Sequence, residues 1–215
     1  PNQAIQTELL RIQKEDEAFI GSLPTDSFVR WFLPIRKLVS AVGAVAQYRT
    51  AELPQTIAAF RGMDYADPRL AKSGLFRDVF ESQFWLLENS GGSLEENYQK
   101  MELSLDAILK TLEKDELRYN EVVAYVLELL ERRSLTQAAE YLALKVLEQN
   151  KVSLQPRLAR QLEGYRAMKV GALVPEIQFT GDVLLQGKPI ANPTRLSEVT
   201  AAYRLVIVGA SWCPA

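Results

Sequence analysis

Residues 93–112, SLEENYQKMELSLDAILKTL, decide the fold that this sequence predicts. Ser93 and Glu96 have the spacing of a capping box, which marks the first turn of a helix. After this cap, apolar residues recur at alternating steps of three and four, which is the period of one buried helix face. These residues are Tyr98, Met101, Leu105, Ile108 and Leu112. The stretch therefore predicts an amphipathic helix whose apolar stripe faces a core.

The helical pattern extends in both directions, over residues 2–168. The run EVVAYVLELL, residues 121–130, is apolar nearly all round and predicts a central, covered helix. Ser134 is expected to cap the next helix, with its inward residues at Leu135, Ala138, Leu142 and Val146. A final helix is expected to begin near Ser153 and to run toward Tyr165. Eight or nine helices joined by short polar links predict an all-α domain over residues 1–168.

The N-terminal part of this region follows the same pattern. One helical face carries Ile5, Leu9, Ile12 and Phe19, and such stripes usually enter a core. Residues 27–49 predict a helix that breaks or kinks at Pro34, because proline lacks the backbone N–H that an inner turn needs. Asp64 and Asp67 are interpreted as helix caps rather than metal ligands. The aromatic residues are interpreted as packing rather than as a ligand cage: Trp31, Phe32, Phe84 and Trp85.

Composition limits the classes of function. The 215 residues include no histidine and one cysteine, and the net charge is −2. These counts exclude histidine-based catalysis, histidine metal ligands, an internal disulfide and a zinc site built from several cysteines. The small net charge and the lack of a basic run with interleaved aromatics argue against nucleic-acid binding. We expect neither a metal nor a cofactor.

The pattern changes near Lys169, and the domain boundary is expected between residues 165 and 172. Residues 169–215 combine glycines and prolines with short β-branched runs, which is typical of strands and turns. EIQF (176–179) and DVLL (182–185) are candidate strands, with a turn at Gly187-Lys188. Leu196-Ser197 predicts the start of a short helix, and RLVIVG (204–209) has the composition of a buried parallel strand.

The chain ends in ASWCPA, residues 210–215, directly after that strand. With the Gly171-x-x-x-Pro175 spacing, the Gly-Lys turn and the Leu-Ser cap, this order resembles the thioredoxin-like fold. It is most similar to the branch that joins the thiol-specific antioxidant (AhpC/TSA) proteins to the TlpA/ResA-type thiol–disulfide oxidoreductases. The resemblance covers about a fifth of the chain. Residues 60–84, with their D-x-x-D-P-R-L stretch, also resemble the helical segment of cell-envelope oxidoreductases of Bacteroidota.

The site that the resemblance implies is centred on Cys213. A thiol at the carboxyl end of a strand and just before a helix lies at the positive end of the helix dipole, where its pKa falls and the thiolate forms. Trp212 and Pro214 support the motif, since proline suits an early helical position. The family pattern places a second cysteine directly after Ala215, so we expect the chain to be truncated within a Cys-x-x-Cys motif. Gly209 departs from the pattern, because relatives often carry a larger residue there.

The resemblance implies a function and a location. The fold class is mainly α, with an N-terminal multi-helix domain (1–168) followed by the first hairpin and strand of a truncated thioredoxin-like α/β domain (169–215). The parent protein would be a thiol–disulfide oxidoreductase of the periplasm or cell envelope, and the fragment alone would be inactive. Its partners would be protein disulfide or dithiol substrates and a redox partner protein. Membrane attachment outside these residues and homodimerisation both stay open.

Two other functions stay open. A peroxidase of the same superfamily would use a single reactive cysteine, but such enzymes usually carry Val rather than Trp before it, so Ser211-Trp212 disagrees. The helical region is also consistent with a non-catalytic interaction or spacer module. It would then recognise a client, mediate dimerisation, or separate a redox domain from a membrane anchor.

Overall fold

A computed structural model describes residues 2–149, 153–185, 187–191 and 193–206. Within these residues the fold is mainly α, with 69% helix in nine α-helices, and its only sheet is a small antiparallel pair of strands toward the C-terminus. The predicted fold class, a multi-helix region followed by a hairpin, is confirmed at this level. The chain divides into two compact units, Pro1–Tyr165 and Arg166–Ala215.

The helices follow one another with short connections. Their bounds are α1 Asn2–Ser22, α2 Phe28–Gln47, α3 Leu53–Arg61, α4 Pro68–Lys72, α5 Leu75–Glu88, α6 Leu94–Leu112, α7 Glu116–Arg132, α8 Thr136–Gln149 and α9 Pro156–Met168. A short 3-10 turn, Thr50–Glu52, precedes α3. Packing among α2, α3, α5, α6, α7 and α8 forms the centre of the helical unit.

Helix α6 forms as its sequence predicts. The Ser93 hydroxyl accepts a hydrogen bond from the Glu96 amide at 3.2 Å, and the Glu96 carboxylate accepts one from the Ser93 amide at 2.7 Å. Two of the backbone donors at the helix start are satisfied in this way. All five residues of the predicted stripe are buried, with Leu105 and Leu112 fully inaccessible. Local signals alone therefore fix both the start and the inner face of α6.

Helix α7 is the covered helix that its composition predicts. Seven of its residues are core residues, namely Tyr119, Val122, Val123, Val126, Leu127, Leu129 and Leu130. Ala124 and Glu128 form the narrow exposed strip between them. In α8 the predicted inward residues are likewise buried.

The predicted cap at Ser134 is wrong. Ser134 has a φ of 57°, and α8 begins only at Thr136. The Ser134 amide donates to the Glu131 carbonyl at 3.0 Å, and the Leu135 amide donates to the Leu130 carbonyl at 2.9 Å. These two bonds form a Schellman motif, which ends a helix at a left-handed residue. Ser134 therefore terminates α7 instead of starting α8.

Of the break or kink predicted at Pro34, the break is wrong, because α2 runs through this residue without interruption. Proline removes one backbone hydrogen bond from the helix. Trp31 and Ile35 pack against the core on either side of it, and Val42 and Val45 are buried about two and three turns later. Packing on both sides of the proline therefore stabilises one continuous helix.

The predicted burial of the α1 stripe is wrong. Ile5, Ile12 and Phe19 are all exposed, and the Leu9 side chain is outside the described residues. Helix α1 lies at the edge of the helical unit against α2, where Asp16 and Lys37 form an ion pair. The periodicity identifies the apolar face of α1, but a single neighbouring helix covers too little of it.

The second unit contains the predicted hairpin. Strand β1, Val183–Leu185, pairs antiparallel with β2, Lys188–Ile190, in the register Val183 opposite Ile190. Gly187 has a φ of 76°, a conformation that favours glycine, so the turn falls where the sequence predicts it. The short helix after the hairpin is a 3-10 turn, Leu196–Glu198.

The structure differs from the prediction at the other two predicted strands, residues 176–179 and 204–209. Residues 176–179 form one isolated bridge, Gln178 opposite Arg195, rather than a strand. Residues 204–206 form no strand, and Leu205 is exposed, whereas residues 207–209 lie outside the described part of the chain. A buried parallel strand needs paired neighbours and covered faces. The described residues of this unit supply only a three-residue antiparallel pair.

Candidate functional site

The predicted site residues Trp212, Cys213 and Pro214 lie outside the residues that the structure describes. What is described is the segment that leads to them, from Lys169 to Val206. Its first predicted feature, Gly171, has a φ of 87°. The described residues contain no group of three or more carboxylates, histidines or cysteines that could hold a metal ion.

A shallow apolar groove of about 430 Å³ lies in this segment. Its lining includes Ile177, Phe179, Leu196, Val199 and Tyr203, together with residues 204–206. Backbone bonds hold one wall: the Phe179 amide donates to the Thr194 carbonyl, and the Leu196 amide donates to the Ile177 carbonyl, both at 2.9 Å. The apolar residues before the Trp-Cys-Pro motif therefore line a groove in this unit.

Two carboxylates fix the turn that follows. The Glu176 carboxylate accepts from the Ser197 amide at 3.0 Å, and the Glu198 carboxylate accepts from the Thr194 amide at 2.7 Å. Hydrogen bonds from Ser197 lower the pKa of Glu176, and those from Thr194 lower the pKa of Glu198. Both carboxylates are therefore ionised at neutral pH, and their role is to hold the backbone near Leu196.

Of the two predicted helix caps in the helical unit, Asp67 is confirmed, whereas Asp64 caps none of the described helices. Asp67 caps α4 by accepting from the Arg69 amide at 2.9 Å, and its carboxylate also binds the Arg69 guanidinium. The Arg69 guanidinium lowers the pKa of Asp67 and lies 4.9 Å from the centre of the Trp31 ring. Asp64 accepts from the Ala66 amide at 3.0 Å. This network connects α4 to α2.

The predicted packing role of the aromatic residues is also confirmed. Phe84 is fully buried in the core, and the partly buried Trp31, Phe32 and Trp85 pack against it.

A groove between α7 and α9 was not predicted. It has a volume of about 510 Å³ and is lined on the α7 side by Ala124, Tyr125, Glu128 and Glu131. Glu131 accepts from the Tyr165 hydroxyl at 2.8 Å and from the Gln161 amide at 3.2 Å, so α9 is bound across the groove at one end. The sequence signal that could have indicated it is Ala124, the one small residue in the run EVVAYVLELL, residues 121–130.

In comparisons with known proteins, no family model, curated protein or solved structure matches this chain. Among the described residues, no helix has both the length and the apolar character needed to span a bilayer.

Proposed function

We propose that the protein is a thiol–disulfide oxidoreductase, that residues 169–215 are the N-terminal part of its thioredoxin-like domain, and that Cys213 is the attacking thiol. The observation that carries the proposal is the sequence RLVIVGASWCPA, an apolar run that ends in Trp-Cys-Pro. The hairpin with its turn at Gly187 and the 3-10 turn at Leu196–Glu198 support it, because they come in the order that the resemblance implies.

The proposed reaction is an exchange between thiols and a disulfide. The Cys213 thiolate attacks one sulfur of a substrate disulfide, a mixed disulfide forms, and the other substrate sulfur leaves as a thiolate. The second cysteine, expected directly after Ala215, then attacks the Cys213 sulfur. The substrate is released with two electrons gained, and the protein keeps the disulfide. The reverse sequence oxidises a substrate dithiol.

The other parts of the chain have supporting roles in this proposal. Pro214 limits the freedom of the backbone around the sulfur, and Trp212 supports the motif. The helical region serves as an accessory domain for partner recognition or dimerisation. The resemblance also implies a periplasmic or cell-envelope location, where protein disulfides are the expected substrates.

The test measures the reactivity of the Cys213 thiol in the full-length natural protein. The rate of alkylation by iodoacetamide is followed against pH, and reduction of insulin disulfides by dithiothreitol is followed with and without the protein. We expect half-maximal alkylation well below the free-cysteine pKa of about 8.5, and insulin reduction that Cys213→Ser abolishes. An ordinary thiol pKa together with no effect on insulin would overturn the proposal.

An assay with hydroperoxide on the same protein distinguishes the peroxidase alternative from the oxidoreductase. Rapid oxidation of Cys213 by hydroperoxide, with no reaction toward insulin, would favour a single-cysteine peroxidase. A residue other than cysteine directly after Ala215 would remove the two-thiol mechanism. We expect the disulfide reaction, because Ser211-Trp212 differs from the residues that usually precede a peroxidatic cysteine.

A further inference from the structure

We infer that Glu176 and Glu198 act as an acid-sensitive clasp in the second unit. The clasp fastens the 3-10 turn Leu196–Glu198 to residues 176–179, and it opens when the two carboxylates are protonated. Neither carboxylate belongs to the proposed thiol site, so the inference goes beyond the proposed function and does not depend on it.

Backbone pairing between the two segments is short. The Phe179 amide donates to the Thr194 carbonyl, and the Leu196 amide donates to the Ile177 carbonyl, both at 2.9 Å. These two bonds flank one isolated bridge rather than a continuous ladder. Because even a complete two-stranded hairpin is only marginally stable in water, the side-chain bonds around this bridge have a large share in holding the turn.

One carboxylate continues the pairing, and the other braces the turn. Glu176, which directly precedes Ile177, accepts from the Ser197 amide at 3.0 Å. Glu198 accepts from the Thr194 amide at 2.7 Å and from the Thr194 hydroxyl at 3.0 Å. Hydrogen bonds to an ionised acceptor are roughly twice as strong as those between neutral groups. The turn is therefore held by the charges of two side chains.

Arg195 is the cation that faces both carboxylates. Its Nε lies 3.2 Å from the Glu198 Oε1. Hydrogen bonds from Ser197 are the main cause of the lowered pKa of Glu176, and the charge of Arg195 adds to it. Arginine stays charged in acid, so the two carboxylates are the groups of the clasp that change charge. The other charged side chains between residues 177 and 206 are Asp182, Lys188 and Arg204, the last of which donates to a backbone carbonyl at 2.6 Å.

Protonation removes the charge on which these bonds depend. With the clasp open, both carboxyls titrate near the usual glutamate pKa of about 4.3. With the clasp closed, the bonds from Ser197 and Thr194 keep the pKa of each carboxyl below its usual value. The stabilisation is therefore complete above about pH 4.3 and is lost as the pH falls through the lower pKa values of the closed clasp. Opening frees Leu196, which lines the apolar groove of about 430 Å³.

The test follows backbone amide signals of the isotope-labelled 215-residue chain by NMR, from about pH 6.5 to about pH 2.5. We expect the Ser197 and Thr194 amide protons to move upfield as the pH falls, with midpoints below about 4.3. The Phe179 and Leu196 amides should change with the same midpoints, because their backbone bonds break when the clasp opens.

Glu176→Gln is the matched variant, because glutamine keeps the shape and an acceptor oxygen but not the charge. At about pH 6.5 it should already move the Ser197 and Leu196 amide signals to the positions they reach in acid. Asp182→Asn is the control, since Asp182 is an exposed carboxylate of the same unit outside the clasp. It should leave these signals and their midpoints unchanged.

Three outcomes would overturn the inference: a Ser197 amide signal that does not move with pH, a Ser197 titration that leaves Phe179 and Leu196 unchanged, or equal effects of Glu176→Gln and Asp182→Asn. Amide signals of α6 report whether the helical unit stays folded in acid. If it unfolds there, the comparison of the two variants at about pH 6.5 decides. The alkylation and insulin assays of Cys213 measure a different group, so the two proposals fail separately.

Discussion

Ser134 has a backbone conformation that suits glycine, whereas Gly164 has a helical backbone conformation that suits alanine. Ser134 is left-handed, with a φ of 57°, whereas Gly164 is an exposed residue inside α9 with nothing within 4 Å of an added Cβ. Left-handed conformations cost non-glycine residues about 1–2 kcal/mol, and glycine in a helix costs about 0.5–1 kcal/mol relative to alanine. We therefore expect Ser134→Gly and Gly164→Ala each to raise the free energy of unfolding by about 1 kcal/mol.

Urea unfolding measures both changes, and Ser134→Val is the opposite control. A β-branched residue is poorly suited to a left-handed backbone, so this variant is expected to lose stability. If Ser134→Gly and Ser134→Val shift the urea midpoint in the same direction, backbone strain at this helix end is not the cause.

Tyr65 is the other residue with a testable contribution. Its hydroxyl is 2.8 Å from the Phe60 carbonyl and 2.9 Å from the Gln83 side-chain oxygen, in a site that is almost wholly inaccessible. Tyr65→Phe removes the hydroxyl that lies between these two oxygens and leaves them without this partner, so we expect a loss of about 1–3 kcal/mol in the free energy of unfolding. Tyr48→Phe, at a residue that is 82% exposed, is the control and is expected to change nothing measurable.

Among the elements, α6 depends most directly on its cap. Ser93→Ala removes the hydroxyl that accepts from the Glu96 amide, and the expected cost is about 1 kcal/mol in the free energy of unfolding. Ser40→Ala, at an exposed position within α2, is the matched control and should be neutral or slightly stabilising. Equal effects of the two substitutions on the urea midpoint would contradict the role of the cap.

The elements also show how far the sequence predicts the fold. A cap and a 3.6-residue period are local, so α6 and its buried face could be predicted in full. Burial of α1 could not, because a period shows which face is apolar and not what covers it. At Pro34 and Ser134, tertiary packing and a helix-ending hydrogen-bond pair outweighed local preference.

The candidate functional sites also include one feature that local sequence predicts and others that depend on tertiary structure. Cys213 is predicted by its motif, which is a local pattern. The groove between α7 and α9 depends on the distance between two helices that are far apart in sequence, and a local pattern carries no such distance. The predicted strand at residues 204–209 depends on neighbouring strands, and its described part has none beside it.

For the whole molecule, stability is expected to be concentrated in the helical unit. Its core residues are nearly inaccessible, whereas Leu173, Tyr203 and Leu205 of the second unit are 95%, 94% and 86% exposed. We therefore expect amides of α6 and α7 to exchange with deuterium slowly, and those of residues 169–206 to exchange rapidly in the 215-residue chain. Slow exchange in both units would contradict this distribution.

The whole helical unit should also lose stability in alkali. Burial raises the pKa of Tyr119 and of Tyr125 to about 12, with smaller contributions from Glu113 and Glu81, respectively. Burial raises the pKa of Tyr65 and Tyr165 as well, and Glu131 adds to the effect at Tyr165. In the unfolded chain these phenols ionise near pH 10. The folded state therefore binds more protons than the unfolded state above this pH.

The sign of the effect follows from linkage between protonation and folding. Stability from these residues is complete below about pH 10 and is lost as the pH rises toward and through about 12. Urea midpoints measured across this range should fall steadily, while ultraviolet absorbance follows the formation of phenolate as the chain unfolds. Tyr125→Phe should make the fall shallower, because one raised pKa is removed. A urea midpoint that is constant from pH 9 to about 12 would show that the buried tyrosines do not ionise on unfolding.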